Sequence, residues 1–172
     1  CDAYLITGSR DSVYDDAPWI VELVRFVERA LAADKKILGI CFGHQLMAHY
    51  FGGRVAPAAE GWAVGVHTST IVRSHSWMGE SAASQFSLLS SHKDQVAELP
   101  QAAEIFATNA FCPIAGFTMS DQVVTVQGHP EFTKSYAQGL LHHRRELLGE
   151  NLYQQGIASM NKRTDELLVA RW

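Results

Sequence analysis

The chain has 172 residues, enough for one domain with a sizeable hydrophobic core. Hydrophobic residues make up 47% of it and charged residues 19%, which is typical of a globular protein and excludes a disordered one. The formal net charge is −4 and no basic block occurs, so neither nucleic acid nor a membrane is an expected partner.

The cysteines and histidines give no sign of a disulfide framework or a metal site. Cys1, Cys41 and Cys112 are an odd, sparse set without a CxxC pair, which predicts a reducing, cytoplasmic environment. The eight histidines lack zinc-ligand spacing, and the pair His142-His143 lies in a basic helical stretch where solvent exposure is expected. We therefore expect neither a metal nor another cofactor.

The first fifty residues alternate between β-prone and helical patterns, which is typical of a parallel sheet with helices packed on its faces. The predicted strands are Ala3–Thr7 and Ile37–Ile40, and the predicted helices are 15–34 and Gly43–Phe51. Asp15 or Asp16 is the expected cap of the first helix, ahead of Pro18 in its first turn.

The middle of the chain changes to short β-rich runs separated by Gly, Pro, Asn or Asp. These runs are 65–74, 86–91, 104–110 and 113–119. They predict a partly antiparallel extension that returns to the main sheet at Val123–Gln127. Helices are expected at 132–150 and 160–172, so residues 1–172 are predicted to form a single α/β domain. Because the chain starts in a strand without methionine and ends in a helical pattern, we expect truncation at both ends.

The segment Gly39–Gln45, "GICFGHQ", lies where a strand becomes a helix and has the spacing of a nucleophile elbow. Gly39 and Gly43 remove side chains that would clash in so tight a turn. Cys41 would then lie at a helix N-terminus, whose partial positive charge favours a thiolate. A buried structural cysteine remains the alternative for this motif taken alone.

A candidate base for the thiol follows the strand that ends at Gln127-Gly128. His129 and Glu131 lie at the carboxyl end of that strand, the same edge of the sheet as Cys41. Their i, i+2 spacing allows Glu131 to bond one imidazole nitrogen while the other nitrogen faces the sulfur. A surface histidine is the ordinary alternative, and the joint occurrence with the elbow disfavours it.

These motifs together resemble the class I, triad-type glutamine amidotransferase domain, especially its free-standing relatives similar to GMP synthase. The resemblance extends over nearly the whole chain and is carried by "GICFGHQLMA", "QGHPEF" and "SSHKDQV". It implies an α/β fold with a flavodoxin-like, open and mostly parallel sheet, helices on both faces and a small antiparallel extension. It also implies that the family's first strand–helix–strand unit is missing from this chain.

The resemblance further implies a role for individual residues. Cys41 would be the nucleophile, His129 the general base and acid, and Glu131 the residue that orients His129. The backbone N–H groups of Gly8 and Phe42 would form the oxyanion hole. The implied substrate contacts are Gln45, Ser91, His92 and Lys93.

Structural explanations stay open for several of these positions. Gln45 could be only a polar residue at a helix start, and Ser91, His92 and Asp94 could be only turn formers. Cys112 and Cys1 are expected to have no catalytic role. Two departures from the family pattern also occur: Lys93 stands where relatives have glycine, and Ser9-Arg10 follow Gly8 where relatives often have glycine or proline.

The leading functional hypothesis is a glutaminase that converts glutamine to glutamate and ammonia through a Cys41 thioester. The ammonia would pass to an unknown acceptor, held by a separate synthase protein or a lost domain. One alternative keeps the triad and cleaves γ-glutamyl peptides or conjugates. A second alternative is a non-catalytic regulatory module with the same fold.

Overall fold

The computed structural model describes residues 1–79 and 83–172, and its centre is a seven-stranded sheet. The strands of the described chain are β1 Ala3–Ile6, β2 Lys36–Ile40, β3 Arg54–Pro57, β4 Ala63–Ile71, β5 Gln85–His92, β6 Asp94–Glu98, β7 Ala103–Thr108, β8 Gly116–Met119 and β9 Val123–Val126. The order in the main sheet is β1-β2-β9-β8-β7-β4-β5, and β3 pairs with β6 in a separate two-stranded sheet.

A helix follows each of the parallel strands β1, β2 and β9, and further helices form the end of the chain. They are α1 Pro18–Ala32, α2 Phe42–Tyr50, α3 Lys134–His143, α4 Arg145–Leu148, α5 Glu150–Ser159 and α6 Glu166–Val169, with a short 3-10 turn at Ser76–Met78. None of the helices in the described ranges is long and apolar enough to cross a membrane.

The parallel part of the sheet determines where the chemistry lies. Strands β1, β2 and β9 run parallel, with Ile6 paired to Gly39 and Ile40 paired to Val126. Their carboxyl ends therefore meet at one edge, where α/β folds place their sites. The α/β class is confirmed, and the four β-rich runs predicted for the middle of the chain form the antiparallel strands β4, β5, β7 and β8.

The sheet is stabilised by apolar packing on both faces. On one face, α1 buries Ile20, Val24 and Val27 against a cluster that includes Ile37 of β2 and Leu46 of α2. Full burial of such a side chain contributes about 1.5–3 kcal/mol. The other face carries a second cluster, and a third joins α3 and α5 to β4 and β5. The α1 face of β1 and β2 is thus well packed, whereas Leu5 of β1 and Leu38 of β2 stay exposed on the other face.

Two predictions about helix ends are wrong. Neither Asp15 nor Asp16 caps α1: the N-cap is Ala17, and Asp15 Oδ2 instead accepts a bond from Ser12 N at 2.7 Å. Pro18 at the first helical position has no N–H that needs a cap. The helix expected over 160–172 is reduced to α6, because the end of the chain turns Trp172 inward against Phe86, with ring centroids 5.3 Å apart.

Candidate active site

Cys41 occupies a tight turn between β2 and α2. Its backbone angles are φ 51° and ψ −98°, a region that residues other than glycine rarely adopt. The Cys41 N–H donates to Val126 O of β9 at 3.0 Å, and Gln45 N–H donates to Cys41 O at 3.0 Å. The last sheet bond and the first helix bond therefore both involve Cys41, and together they hold the strained conformation.

Gly39 and Gly43 make this turn sterically possible, as the sequence predicts. A Cβ on Gly39 would lie 2.8 Å from the carbonyl carbon of Gly43. A Cβ on Gly43 would lie 2.9 Å from Ile6 Cβ and would contact the Ile6 carbonyl oxygen. Side chains at either position would push α2 away from the sheet, so both glycines are required by close approach of the backbone.

His129 is held beside the elbow by its backbone and by its ring. Its N–H donates to Leu89 O of β5 at 2.8 Å, and its Nδ1 is 2.8 Å from Glu131 Oε1. The predicted bond between these two side chains is therefore present. Phe132 stacks on the imidazole with centroids 3.8 Å apart. Since Glu131 occupies Nδ1, Nε2 is the nitrogen left to face Cys41.

The environment of His129 favours the imidazolium. Burial alone lowers the pKa of His129, but the Cys41 sulfur and the Glu131 carboxylate together outweigh burial and raise the pKa to about 9. The side chain of His129 is only 4% exposed, while that of Glu131 is 36% exposed. A positively charged His129 next to Cys41 suits a thiolate nucleophile and a proton donor for a leaving amine.

Gly8 lies next to both reactive side chains. A Cβ at this position would be 3.0 Å from His129 Cε1 and 3.7 Å from Cys41 Cβ. Phe42 is the first residue of α2, directly after Cys41. Among the described residues, no acceptor is recorded for the N–H of Gly8 or of Phe42. Gly8, after β1, and Phe42, after β2, thus lie close to Cys41, and the oxyanion hole expected from their N–H groups stays a prediction.

The four residues expected to contact substrate form one group on the other side of Cys41. Gln45 is buried, and its Nε2 donates to Asp94 O at 2.7 Å and to Gln127 Oε1 at 3.2 Å. The first bond joins α2 to the Ser91–Asp94 segment, and the second joins α2 to the residue that follows β9. Gln45 is therefore more than a polar residue at a helix start.

Ser91, His92 and Lys93 differ in what each can offer a ligand. Ser91 and His92 end β5, so they are strand residues and not turn formers. His92 is buried, and burial lowers its pKa. The bond from its Nδ1 to Asp94 O raises the pKa by less, so the pKa of His92 falls to about 3. His92 is thus neutral and structural at neutral pH. Ser91 is partly buried, and Lys93 is exposed.

His44, a second histidine near the nucleophile, points into the core. It is fully buried with Nδ1 2.8 Å from Thr125 Oγ1, and burial lowers its pKa to about 3. His44 stabilises the packing of α2 on β9 and is not placed to act as a base for Cys41.

Two cavities meet at Cys41. One, of about 230 Å³, is lined by Gln45, Lys93 and Asp94, among others. The second, of about 320 Å³, is lined by His129 and Glu131. Besides Cys41, the two share four lining residues: Ser9, Arg10, Ser91 and Arg144. A substrate bound across Cys41 would therefore have one part on each side of the thiol.

Arg144 is the lining residue that the sequence did not reveal. Its Nη1 donates to Ser91 Oγ at 2.7 Å, and its guanidinium lies 5.1 Å from the Trp62 ring centroid. The sequence signal for Arg144 is the four-residue spacing of Tyr136, Leu140 and Arg144, which places them on one side of α3 and its C-cap. The basic run around His142-His143 instead suggested a solvated face. No group of three or more metal-ligating side chains occurs within residues 1–79 and 83–172.

Most of the chain resembles known proteins in sequence. The model of the family "Glutamine amidotransferase class-I" matches residues 1–144. The chain belongs to that family. Gamma-glutamyl peptidase 3 of Arabidopsis thaliana is 31% identical over 170 residues, covering 96% of this chain and 67% of that protein. GMP synthase (glutamine-hydrolyzing) of a Streptococcus pneumoniae strain is 33% identical over 132 residues, 76% of this chain and 24% of the relative.

Solved structures show the same fold at low sequence identity. A glutamine amidotransferase from Thermotoga maritima superposes with a TM-score of 0.80 at 20% identity, covering 97% of this chain and 74% of that one. A glutamine amidotransferase from Methylobacillus flagellatus gives a TM-score of 0.75 at 20% identity, covering 100% of this chain and 76% of that one. The chain spans about two thirds of the length of its Arabidopsis relatives.

Proposed function

We propose that this protein hydrolyses the γ-glutamyl amide bond of γ-glutamyl peptides, with Cys41 as nucleophile. The observation that carries the choice of substrate is the cavity of about 320 Å³ on the His129 side of Cys41. In this proposal the γ-glutamyl part occupies the Gln45 side, and the leaving amine departs on the His129 side.

The reaction has two balanced steps. The Cys41 thiolate attacks the γ-carbonyl carbon, and the N–H groups of Gly8 and Phe42 bind the oxyanion. The C–N bond then breaks, the departing nitrogen takes a proton from His129, and a γ-glutamyl thioester remains on Cys41. Neutral His129 next removes a proton from water, which attacks the thioester and releases glutamate. Glu131 keeps Nε2 of His129 directed at the reacting atoms through its bond to Nδ1.

The size of the second cavity favours a peptide over free glutamine. The leaving group of glutamine is ammonia, a molecule of water size that needs about 30 Å³. A cavity of about 320 Å³ is large enough for an amino acid or a dipeptide. The curated relatives named as gamma-glutamyl peptidases support the same choice. The sequence alone favoured glutamine because it does not reveal this cavity.

Glutamine hydrolysis is the second candidate, favoured by the family description and by the similarity to GMP synthase. It uses the same residues, and the ammonia would then need an acceptor on a separate synthase protein. Both candidates need a reduced thiol at Cys41, so we propose a reducing, cytoplasmic location with either.

One assay distinguishes γ-glutamyl peptide hydrolysis from glutamine hydrolysis. We expect kcat/KM for γ-Glu-Ala to exceed that for glutamine, measured as alanine and ammonia release under identical conditions. Cys41→Ser should abolish both activities, and Cys112→Ser, which changes a buried thiol outside both cavities, should keep them. Fast ammonia release from glutamine with no alanine release from γ-Glu-Ala would reject the peptide and leave the glutaminase.

A further inference from the structure

Arg144 lies at the end of a helix face that forms one wall of the cavity on the His129 side. Tyr136, Leu140 and Arg144 follow at four-residue spacing, which places them on the same side of α3 and its C-cap. All three line this cavity, while Tyr136 and Leu140 do not line the cavity on the Gln45 side. The wall is thus mainly apolar and aromatic, with one guanidinium at its end.

Protein contacts hold the Arg144 guanidinium in place but leave most of its N–H donors without an acceptor among the described residues. Its hydrogen bond to Ser91 Oγ and its position over Trp62 fix the group. A guanidinium has five N–H donors, and within the described ranges only one is recorded in a bond. No carboxylate of the described residues forms an ion pair with Arg144 or with Arg10.

Arg10 brings a second positive charge to the same place. It lines both cavities with Arg144, and the two cations are close enough that Arg10, after burial, lowers the pKa of Arg144. Two neighbouring cations that form no ion pair with a carboxylate of the described residues attract an anion. A fixed, planar fork of N–H donors suits a carboxylate in particular.

We propose that Arg144, with Arg10 beside it, binds a carboxylate on the leaving group of the substrate. The inference rests on the proposed function and specifies the substrate class: γ-glutamyl amino acids and peptides whose leaving amine carries a nearby carboxylate. Lys93 lines the cavity on the Gln45 side but not the cavity on the His129 side. It is therefore available for the carboxylate of the γ-glutamyl part. The apolar wall of Tyr136 and Leu140 would contact the side chain of the leaving residue.

The test compares two substrates that differ only in this carboxylate, γ-Glu-Ala and γ-Glu-alaninamide. The wild-type protein should prefer γ-Glu-Ala, and Arg144→Gln should lower kcat/KM for γ-Glu-Ala about 10-fold more than for the amide. This factor corresponds to about 1.4 kcal/mol, the lower end for a hydrogen bond to a charged group. Arg144→Lys keeps the charge without the fork and should recover part of the preference.

Arg145→Gln is the matched control. Arg145 is the next residue, but it is exposed and bonded through Nε and Nη2 to Glu150 at 2.8 and 2.9 Å, so its loss should leave the preference unchanged. Thermal unfolding of each variant verifies that it is folded.

Each other outcome rejects a definite part of the account. Equal turnover of both substrates by the wild-type protein would overturn the carboxylate site while the peptidase function stands. An equal loss on both substrates in Arg144→Gln would assign Arg144 to the γ-glutamyl part instead. Turnover of neither substrate would reject the proposed function itself.

Discussion

Replacing Gly43 with alanine tests whether the elbow is as tightly packed as the structure indicates. The added Cβ would lie 2.9 Å from Ile6 Cβ and would also contact the Ile6 carbonyl oxygen at the end of β1. Overpacking of this kind costs about 1–3 kcal/mol. The higher helix propensity of alanine relative to glycine stabilises the protein by about 0.5–1 kcal/mol. The free energy of unfolding should therefore fall by up to about 2.5 kcal/mol.

The same shift should also affect the chemistry. Displacing the start of α2 moves Cys41 relative to His129, and a misplacement of about 1 Å can cost on the order of 100-fold in rate. We expect kcat to fall about 10- to 100-fold, measured with γ-Glu-Ala, and stability to be measured by urea unfolding.

Gly139→Ala is the control, because a Cβ on Gly139 in α3 meets no atom within 4 Å. This variant should gain about 0.5–1 kcal/mol of stability and keep the wild-type kcat. A Gly43→Ala protein with wild-type stability and wild-type kcat would refute the reasoning, since the turn would then have room for a side chain.

Three further predictions concern the ionisable groups. Glu131→Gln removes a carboxylate that raises the pKa of His129, so NMR titration should find that pKa below about 9, and an unchanged value would contradict the assigned contact. Since the pKa of His129 is raised from 6.5 to about 9 on folding, its stabilising contribution is complete below pH 6.5 and is lost as pH rises through about 9. The difference in unfolding free energy between wild type and His129→Gln should shrink over that range, and a difference that grows would have the wrong sign. Burial raises the pKa of Cys112 to about 12, so iodoacetamide at neutral pH should label Cys41 and the exposed Cys1 before Cys112, as read by peptide mass spectrometry. Labelling of Cys112 as fast as Cys41 would contradict this.

The elements that depend on local patterns could be predicted from the sequence. Strands β1, β2 and β9 and helices α1 and α2 each show one buried face or one apolar run, which composition and period reveal. The elbow could be predicted for the same reason, because its glycines and Cys41 lie within five residues. The His129–Glu131 bond is also local, two residues apart.

Features that depend on distant pairing could not be predicted. The β3–β6 sheet joins Arg54 to Glu98, and neither strand has an apolar run of its own. The bond from Arg144 to Ser91 spans 53 residues, so the helix spacing that places Arg144 with Tyr136 and Leu140 does not show that Ser91 is its partner. The four antiparallel strands could be predicted from their β-rich runs, but their order β8-β7-β4-β5 in the sheet could not, because such runs do not specify their partners.

Covalent trapping of the nucleophile tests the central claim most directly. The protein would be incubated with γ-Glu-Ala, quenched in acid during turnover, digested and analysed by mass spectrometry beside a sample treated with a diazoketone analogue of glutamine. The account predicts a γ-glutamyl adduct on the peptide that contains Cys41 in the first sample, and the analogue on the same cysteine in the second. Turnover of γ-Glu-Ala by a folded protein with no adduct on Cys41 in either sample would contradict it.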